Sequence, residues 1–248
     1  MKKHKPIQVG DVFPTNEGGS VVVVEYRGAY DVIVRHADSH GHLSKVAASQ
    51  LRDGRVKNPY KPRISGVGFV GVGPHSTSKN GKDTPAYKTW TKMLERAYCE
   101  KKQLTNPTYI GCSVAREWHC FQNFAEWYES QPFKGKGYQL DKDILVKGNK
   151  IYAPDRCRFV PEYLNKILCS NEAKRGVLPM GVAYKAGRYY SKLSKNRKIF
   201  CISGGFETPE EAHEAYKKER EGHIRDSANN YRNMITEDIY LALMSYSI

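Results

Sequence analysis

The spacing at which apolar residues recur changes along this chain, and no single uniform layer of strands or helices can satisfy both spacings. Through residues 1 to about 64 they alternate. In an extended segment Val21, Val23 and Glu25 fall on one face and Val22, Val24 and Tyr26 on the other. A turn at Arg27-Gly28-Ala29 leads to a second strand from Asp31 to His36. From Ala86 onward, Trp90, Met93, Leu94 and Ala97 recur at spacings of three and four, which predicts a helix. Phe121, Phe124, Ala125 and Tyr128 predict a second helix over Cys120 to Ser130, with its aromatic residues as a core stripe. TYIGCSVAREW, between the two, is expected to be extended.

Between the two regimes lies GVGFVGVGPHSTSKNGKDTP, residues 66–85, where glycine, serine and proline replace any pattern. It marks a linker. Its GVGFVG string matches GxGxxG, but a phosphate-binding loop follows a strand and opens a helix directly, whereas Pro74 to Pro85 intervene here. The expected class is α+β, opening with a small β-rich, SH3-like and barrel-like module over residues 1–65. The tail of that module, LRDGRVKNPYKPR, carries Arg52, Arg55, Lys57, Lys61 and Arg63 against Asp53 alone. It reads as a phosphate contact or as a solvated edge.

A chain of 248 residues has the size of two or three small units. Its 40 Lys and Arg against 26 Asp and Glu give a net charge of +14, which attracts polyanions and releases their counterions on binding. Double-stranded DNA is therefore the expected partner; a protein partner is left open. A membrane is not expected, because no apolar run approaches the roughly 20 residues of a span. The start, MKKHKPIQVGDVF, has charge with no apolar stretch behind it, so no secretory signal is read and an intracellular location is expected. The six cysteines form no CxxC pair and read as free thiols rather than a zinc site. Some of the 17 tyrosines, interleaved with basic residues, suit contact with sugars or bases, and most read as packing.

After the second helix, LDKDI reads as a strand, Lys147-Gly148-Asn149 as a loop, and Pro161 to about Leu168 as a helix. Strand, loop and helix in that order outline a ββα-metal finger. Trp90, Met93, Leu94 and Arg96 are followed by Tyr109, Gly111, Trp118, Phe121 and Phe124. Leu140-Asp141-Lys142-Asp143, Gly148-Asn149, Tyr152, Pro154, Cys157-Arg158-Phe159 and Asn165 then complete the series. In that order they resemble an HNH-endonuclease-like family of bacteriophages, of the homing-endonuclease type. The likeness covers about residues 86–170, within an HNH-like domain expected over 86–172. It implies DNA nicking or cleavage in a host cytoplasm, with Asp141 as metal carboxylate, Asn165 as the helix ligand and Mg²⁺ or Mn²⁺ as the ion.

Lys142 stands where active members of that family place the histidine that deprotonates water. A lysine near its ordinary pKa of about 10.4 is protonated at pH 7, so it supports a phosphate and is a poor base unless burial lowers that pKa by about three units. Asp143 is the candidate to orient water instead. On a regular strand Asp141 and Asp143 would share a face and Lys142 would point away. His119, in REWHCF, is a second candidate base and otherwise a core-edge residue. The alternative is a catalytically inactive DNA-binding regulator or protein inhibitor built on a relic finger.

Farther on, Val182 to Ala186, Arg188 to Ser194 and Lys198 to Ser203 read as three strands. Thr208-Pro209-Glu210-Glu211 then opens a helix: threonine caps it, proline fits the first turn and the acids complement the dipole. Ala212, Ala215 and Tyr216 form its packing face. With Gly181-Val182, Gly187, Tyr189 and Gly205-Phe206, this order resembles the AP2-type DNA-binding domain, expected over residues 176–226. That family lays its sheet in the major groove. Lys185, Arg188, Lys192, Lys195, Arg197 and Lys198 lie between Val182 and Ile199 with no acid among them. Alternation turns Tyr189 and Leu193 inward and leaves Arg188, Tyr190, Lys192 and Ser194 facing out. Arg188 suits guanine and the lysines suit phosphates. A last helix is expected from Thr236, within residues 227–248, with Ile239, Tyr240, Leu243 and Met244 apolar.

Overall fold

The computed structural model describes residues 5–168, 177–195 and 198–248, and its class is α+β. The first unit is a meander of β1 (Val12–Pro14), β2 (Ser20–Gly28), β3 (Asp31–His36) and β4 (Leu43–Val46), paired antiparallel in that order. Val21, Val23, Val32 and Val34 are buried on one face, covered by Ala48 and Leu51 of α1 (Ala48–Arg52). Of the expected barrel or half-barrel, a closed barrel does not form. β1 and β4 remain the two edges of an open sheet, and a short helix rather than further strands closes the core. The alternation also fails at Glu25, which is exposed. A register shift between Val23 and Glu25 adds a residue and moves the following side chains out of the inner row.

The central unit is built on α2 (Pro85–Tyr98) and α4 (Phe121–Ser130), with α3 (Glu100–Thr105) between them. Thr84 caps α2 by accepting a hydrogen bond from Tyr87 N, and Pro85 takes the first position, where a missing N–H costs nothing. The stripe of Trp90, Met93 and Leu94 packs on Trp118, Phe121 and Phe124 in one core. Trp90 Nε1 donates to Trp118 O at 2.7 Å, which satisfies the one polar atom of a fully buried ring. The segment expected to be extended contains single-turn helices at Pro107–Tyr109 and Arg116–His119 on either side of β7 (Ser113–Val114). Residues 66–85 are not a free tether. Phe69 bridges to Cys120, and Gly68 lies so near α2 that an added Cβ would meet Leu94 Cδ1 at 2.4 Å.

β8 (Tyr138–Asp141) pairs antiparallel with β10 (Arg158–Pro161), β9 (Ile151–Tyr152) pairs parallel with β7, and α5 (Glu162–Leu168) follows β10 directly. The last unit is β11 (Val182–Lys185), β12 (Arg188–Lys195) and β13 (Lys198–Phe206), an antiparallel sheet in sequence order. α6 (Pro209–Asn230) packs on it, opened by a reciprocal capping box between Thr208 and Glu211. α6 runs past residue 226, where the DNA-reading unit was expected to end. With α7 (Glu237–Met244) it joins Ile144, Val160 and Leu164 in a third core through Ile224, Ala228, Ile239 and Leu243. Among the described residues no helix is long and apolar enough to cross a membrane.

Candidate functional site

β8 ends at Asp141 instead of running through Asp143, and the reason is the Asp141 side chain. Its Oδ1 accepts from Asp143 N at 2.9 Å and Ile144 N at 2.8 Å, so the carboxylate folds the chain back on itself. The expected strand alternation across Asp141, Lys142 and Asp143 is therefore replaced by a turn. Asp141 is 9% exposed and Lys142 8%, whereas Asp143 reaches solvent. Burial and the charge of Asp143 push the Asp141 carboxyl up to about 6, against the two backbone N–H groups that draw it down.

Lys142 points inward. Its Nζ lies 3.0 Å from Asp143 Oδ2 and 5.9 Å from the centre of the Tyr152 ring, a buried cation held between a carboxylate and an aromatic face. Asn149, which entered only as a landmark of the sequence, closes the turn. Its Nδ2 donates to Lys142 O at 2.6 Å and Ile151 O at 2.7 Å, while its Oδ1 accepts from Ile151 N and Arg156 Nη1.

Asn165 arrives from α5 and donates through Nδ2 to Gln139 Oε1 at 2.7 Å. Gln139 and Asp141 are two apart on β8 and share a face, so Asn165 and Asp141 are brought to the same side of the strand. His119 is placed elsewhere: its Nε2 meets Tyr98 Oη at 3.2 Å, and burial lowers its pKa. Cys99, Cys112, Cys120 and Cys157 are free thiols, and burial raises Cys157 to about 12; Cys169 and the Cys201 side chain lie outside the described residues. No cluster of three or more His, Cys, Asp or Glu is placed to hold a metal ion among the described residues.

The second site is the outer face of the β11–β12–β13 sheet. Ser191 and Leu193 are buried beneath α6, Lys185, Arg188 and Lys192 are exposed, and Tyr190 is half-buried opposite Ala183. Lys185 and Arg188 are direct cross-strand partners, a like-charge pair that opposes strand pairing unless an anion screens it. Glu207 supplies one: its Oε1 lies 3.1 Å from Arg188 Nη1. That ion pair was not foreseen, although an acid immediately after Gly205-Phe206 was there to be noticed. Lys195 and Lys198 are paired by their backbones at the end of β12 and the start of β13; their side chains, and all of Arg197, lie outside the described residues.

Three cations of the first unit's basic tail have protein partners. Arg55 pairs with Asp53, Arg63 with Glu17, and Arg52 donates to Lys5 O. The chain matches no protein-family model, no curated protein and no solved structure.

Proposed function

We propose that this chain binds duplex DNA through the outer face of the AP2-like β11–β12–β13 sheet and carries an HNH-like finger that nicks the bound strand with one divalent metal ion. The observation that carries the reading is the exposed basic surface of the sheet: Lys185, Arg188 and Lys192 project from β11 and β12, with Arg188 paired to Glu207 and bordered by Glu210, Glu211 and Glu214 of α6. Such cations attract phosphates and release their counterions on binding.

Asp141, Asp143 and Asn165 offer oxygen donors, which suit Mg²⁺ or Mn²⁺. A bound ion would supply the charge that activates water and stabilises the developing phosphate oxyanion. In this chain Asp141 and Asn165 would hold it from one side of β8, while Lys142 stays buried against Asp143 and Tyr152. A second reading, a DNA-bound regulator or protein inhibitor on a relic finger, is favoured by Lys142. Its ammonium fills the base position and is already paired with Asp143.

Supercoiled plasmid incubated with the chain and Mg²⁺ or Mn²⁺, beside Asp141→Ala, separates the two readings. Metal-dependent nicking lost in the variant supports the enzyme; binding without nicking removes it. Neutralising Arg188 and Lys192 together is expected to weaken binding and to flatten its log–log salt slope by about 0.9 for each phosphate no longer neutralised. An unchanged slope would take the sheet out of the interface.

A further inference from the structure

Residues 76–84 carry charge that the rest of the fold does not use. β5 (Ser78–Lys79) and β6 (Lys82–Asp83) form a hairpin through Asn80-Gly81, whose φ values of 52 and 70° are those of a tight two-residue turn. The register sets Lys79 directly opposite Lys82, and Ser78 opposite Asp83. Both ammonium groups thus share one face and the acid lies on the other. Like charges directly opposite weaken a strand pair. Both lysines are exposed, and neither has an ion-pair or hydrogen-bond partner among the described residues.

The hairpin holds that arrangement because it is fastened at its base. His75 N donates to Gln122 Oε1 at 2.9 Å, and Gln122 Nε2 donates back to His75 O at 3.0 Å, tying the entry to α4. Thr84 N donates to Thr77 O at 2.9 Å, and Thr84 Oγ1 to Ser76 O at 3.1 Å, while the same hydroxyl caps α2. A two-stranded ribbon with no buried residue does not sustain itself in water, so these anchors fix it.

We infer that this hairpin is a second nucleic-acid contact, in which Lys79 and Lys82 grip backbone phosphates of the duplex. The inference rests on the reading that the chain binds DNA, and it adds a surface outside both the sheet and the finger. An anion lying across the two lysines turns their repulsion into shared attraction. The rest of the ribbon, Ser76 to Thr84, is serine, threonine, asparagine, glycine and aspartate, with no apolar residue to enter a membrane or a protein groove. Hydroxyl and amide side chains are phosphate contacts, and a two-stranded ribbon fits a major groove.

The test is binding of a labelled duplex to the full chain by anisotropy between about 50 and 200 mM salt. It compares wild type, the pair Lys79→Gln with Lys82→Gln, the pair Arg188→Gln with Lys192→Gln, and Lys79→Arg with Lys82→Arg. The hairpin pair is expected to lower the log–log salt slope by about two, the arginine pair to keep it, and both to melt no lower than wild type. Binding by wild type with an unchanged slope in the hairpin pair overturns the inference and leaves the sheet reading intact. A fall in the hairpin pair but not in the sheet pair upholds the inference and removes the sheet. A wild-type chain that does not bind duplex DNA overturns both, and a lower melting temperature in the hairpin pair assigns these lysines to structure instead.

Discussion

Asn149→Ala is expected to destabilise the central unit by about 3 kcal/mol, because one buried amide closes the turn that carries Asp141, Lys142 and Asp143. Asn149 is 8% exposed and its side chain makes four hydrogen bonds. Alanine leaves Lys142 O without its donor in a buried setting, which costs about 1–3 kcal/mol. The half-buried N–H and C=O of Ile151 lose ordinary hydrogen bonds worth about 0.5–1.5 kcal/mol each. Arg156, whose side chain is 40% exposed, turns to water and adds little.

The three tryptophans, Trp90, Trp118 and Trp127, all lie in or against the central core, so tryptophan emission during urea unfolding reports that core. With a slope of about 2–3 kcal/mol per molar, the midpoint should fall by about 1 M. Amide exchange at Asp143 and Ile144, the two groups that Asp141 Oδ1 accepts from, should quicken at the same time. Asn149→Asp adds a pH signature. It sets a carboxyl against the carbonyls of Lys142 and Ile151, so the introduced group has a raised folded pKa. The extra destabilisation is therefore absent below the ordinary carboxylate range near 4 and grows as pH rises through it. A midpoint shift below about 0.3 M for alanine, or a loss for aspartate that stays flat from pH 4 to 7, would refute the account of Asn149 as the closure of the turn.

Gly181→Ala should unfold or loosen the C-terminal sheet, since Gly181 has φ +75° and an added Cβ would lie 2.1 Å from the Tyr216 ring. Loss of the tyrosine near-UV dichroism with the tryptophan bands and far-UV helix signal retained is the expected readout, and an unchanged spectrum counts against the packing. His36 is buried with Nε2 3.1 Å from Ser44 Oγ, and burial lowers its pKa. The unfolded chain therefore binds the proton first, so the first unit should keep its full stability above about pH 6.5 and lose it as pH falls. Thermal melts from pH 7.5 to 5 should show this, and a profile unchanged in His36→Gln would assign the slope to other groups. Asp238→Asn weakens the 2.7 Å pair with Arg158 that ties α7 to β10, at about 0.5–1 kcal/mol given its partial exposure; burial opposes the ionised Asp238, but Thr236 and Arg158 hold its pKa below the ordinary value. Urea midpoints of the two proteins at pH 7 give the comparison, and equal midpoints would make the pair ornamental.

What the sequence disclosed, and what it hid, follows from the range of each signal. Thr208-Pro209-Glu210-Glu211 places a helix start because capping is decided within four residues, and the helix begins there. Trp90, Met93 and Leu94 disclosed a core because bulky apolar residues at helical spacing have one way to be buried. Asp141 misled because period-two alternation assumes an uninterrupted strand, while a carboxylate able to accept two backbone N–H groups ends the strand locally. Asn80-Gly81 is a strong hairpin signal, but no alternating apolar residues flank it, so it read as linker. The open edge between β1 and β4 was hidden for another reason: four alternating strands look alike whether they close on each other or lie under a helix.

α6 is the element whose meaning exceeds any local motif. Its first turns place Ala212 and Tyr216 beneath the sheet, and its last turns place Ile224 and Ala228 in the core shared with α5 and α7. Midway, Arg220 Nη2 donates to Ile167 O at the end of α5, and Tyr163 of α5 meets both His223 and the ring of Tyr231. A 22-residue helix is about 33 Å of continuous hydrogen-bonded backbone. The β11–β12–β13 sheet and the Asp141 turn are thus joined through a continuous helix rather than a free linker. On the proposed reading, that connection limits which phosphates of a duplex bound to the sheet can come near Asp141.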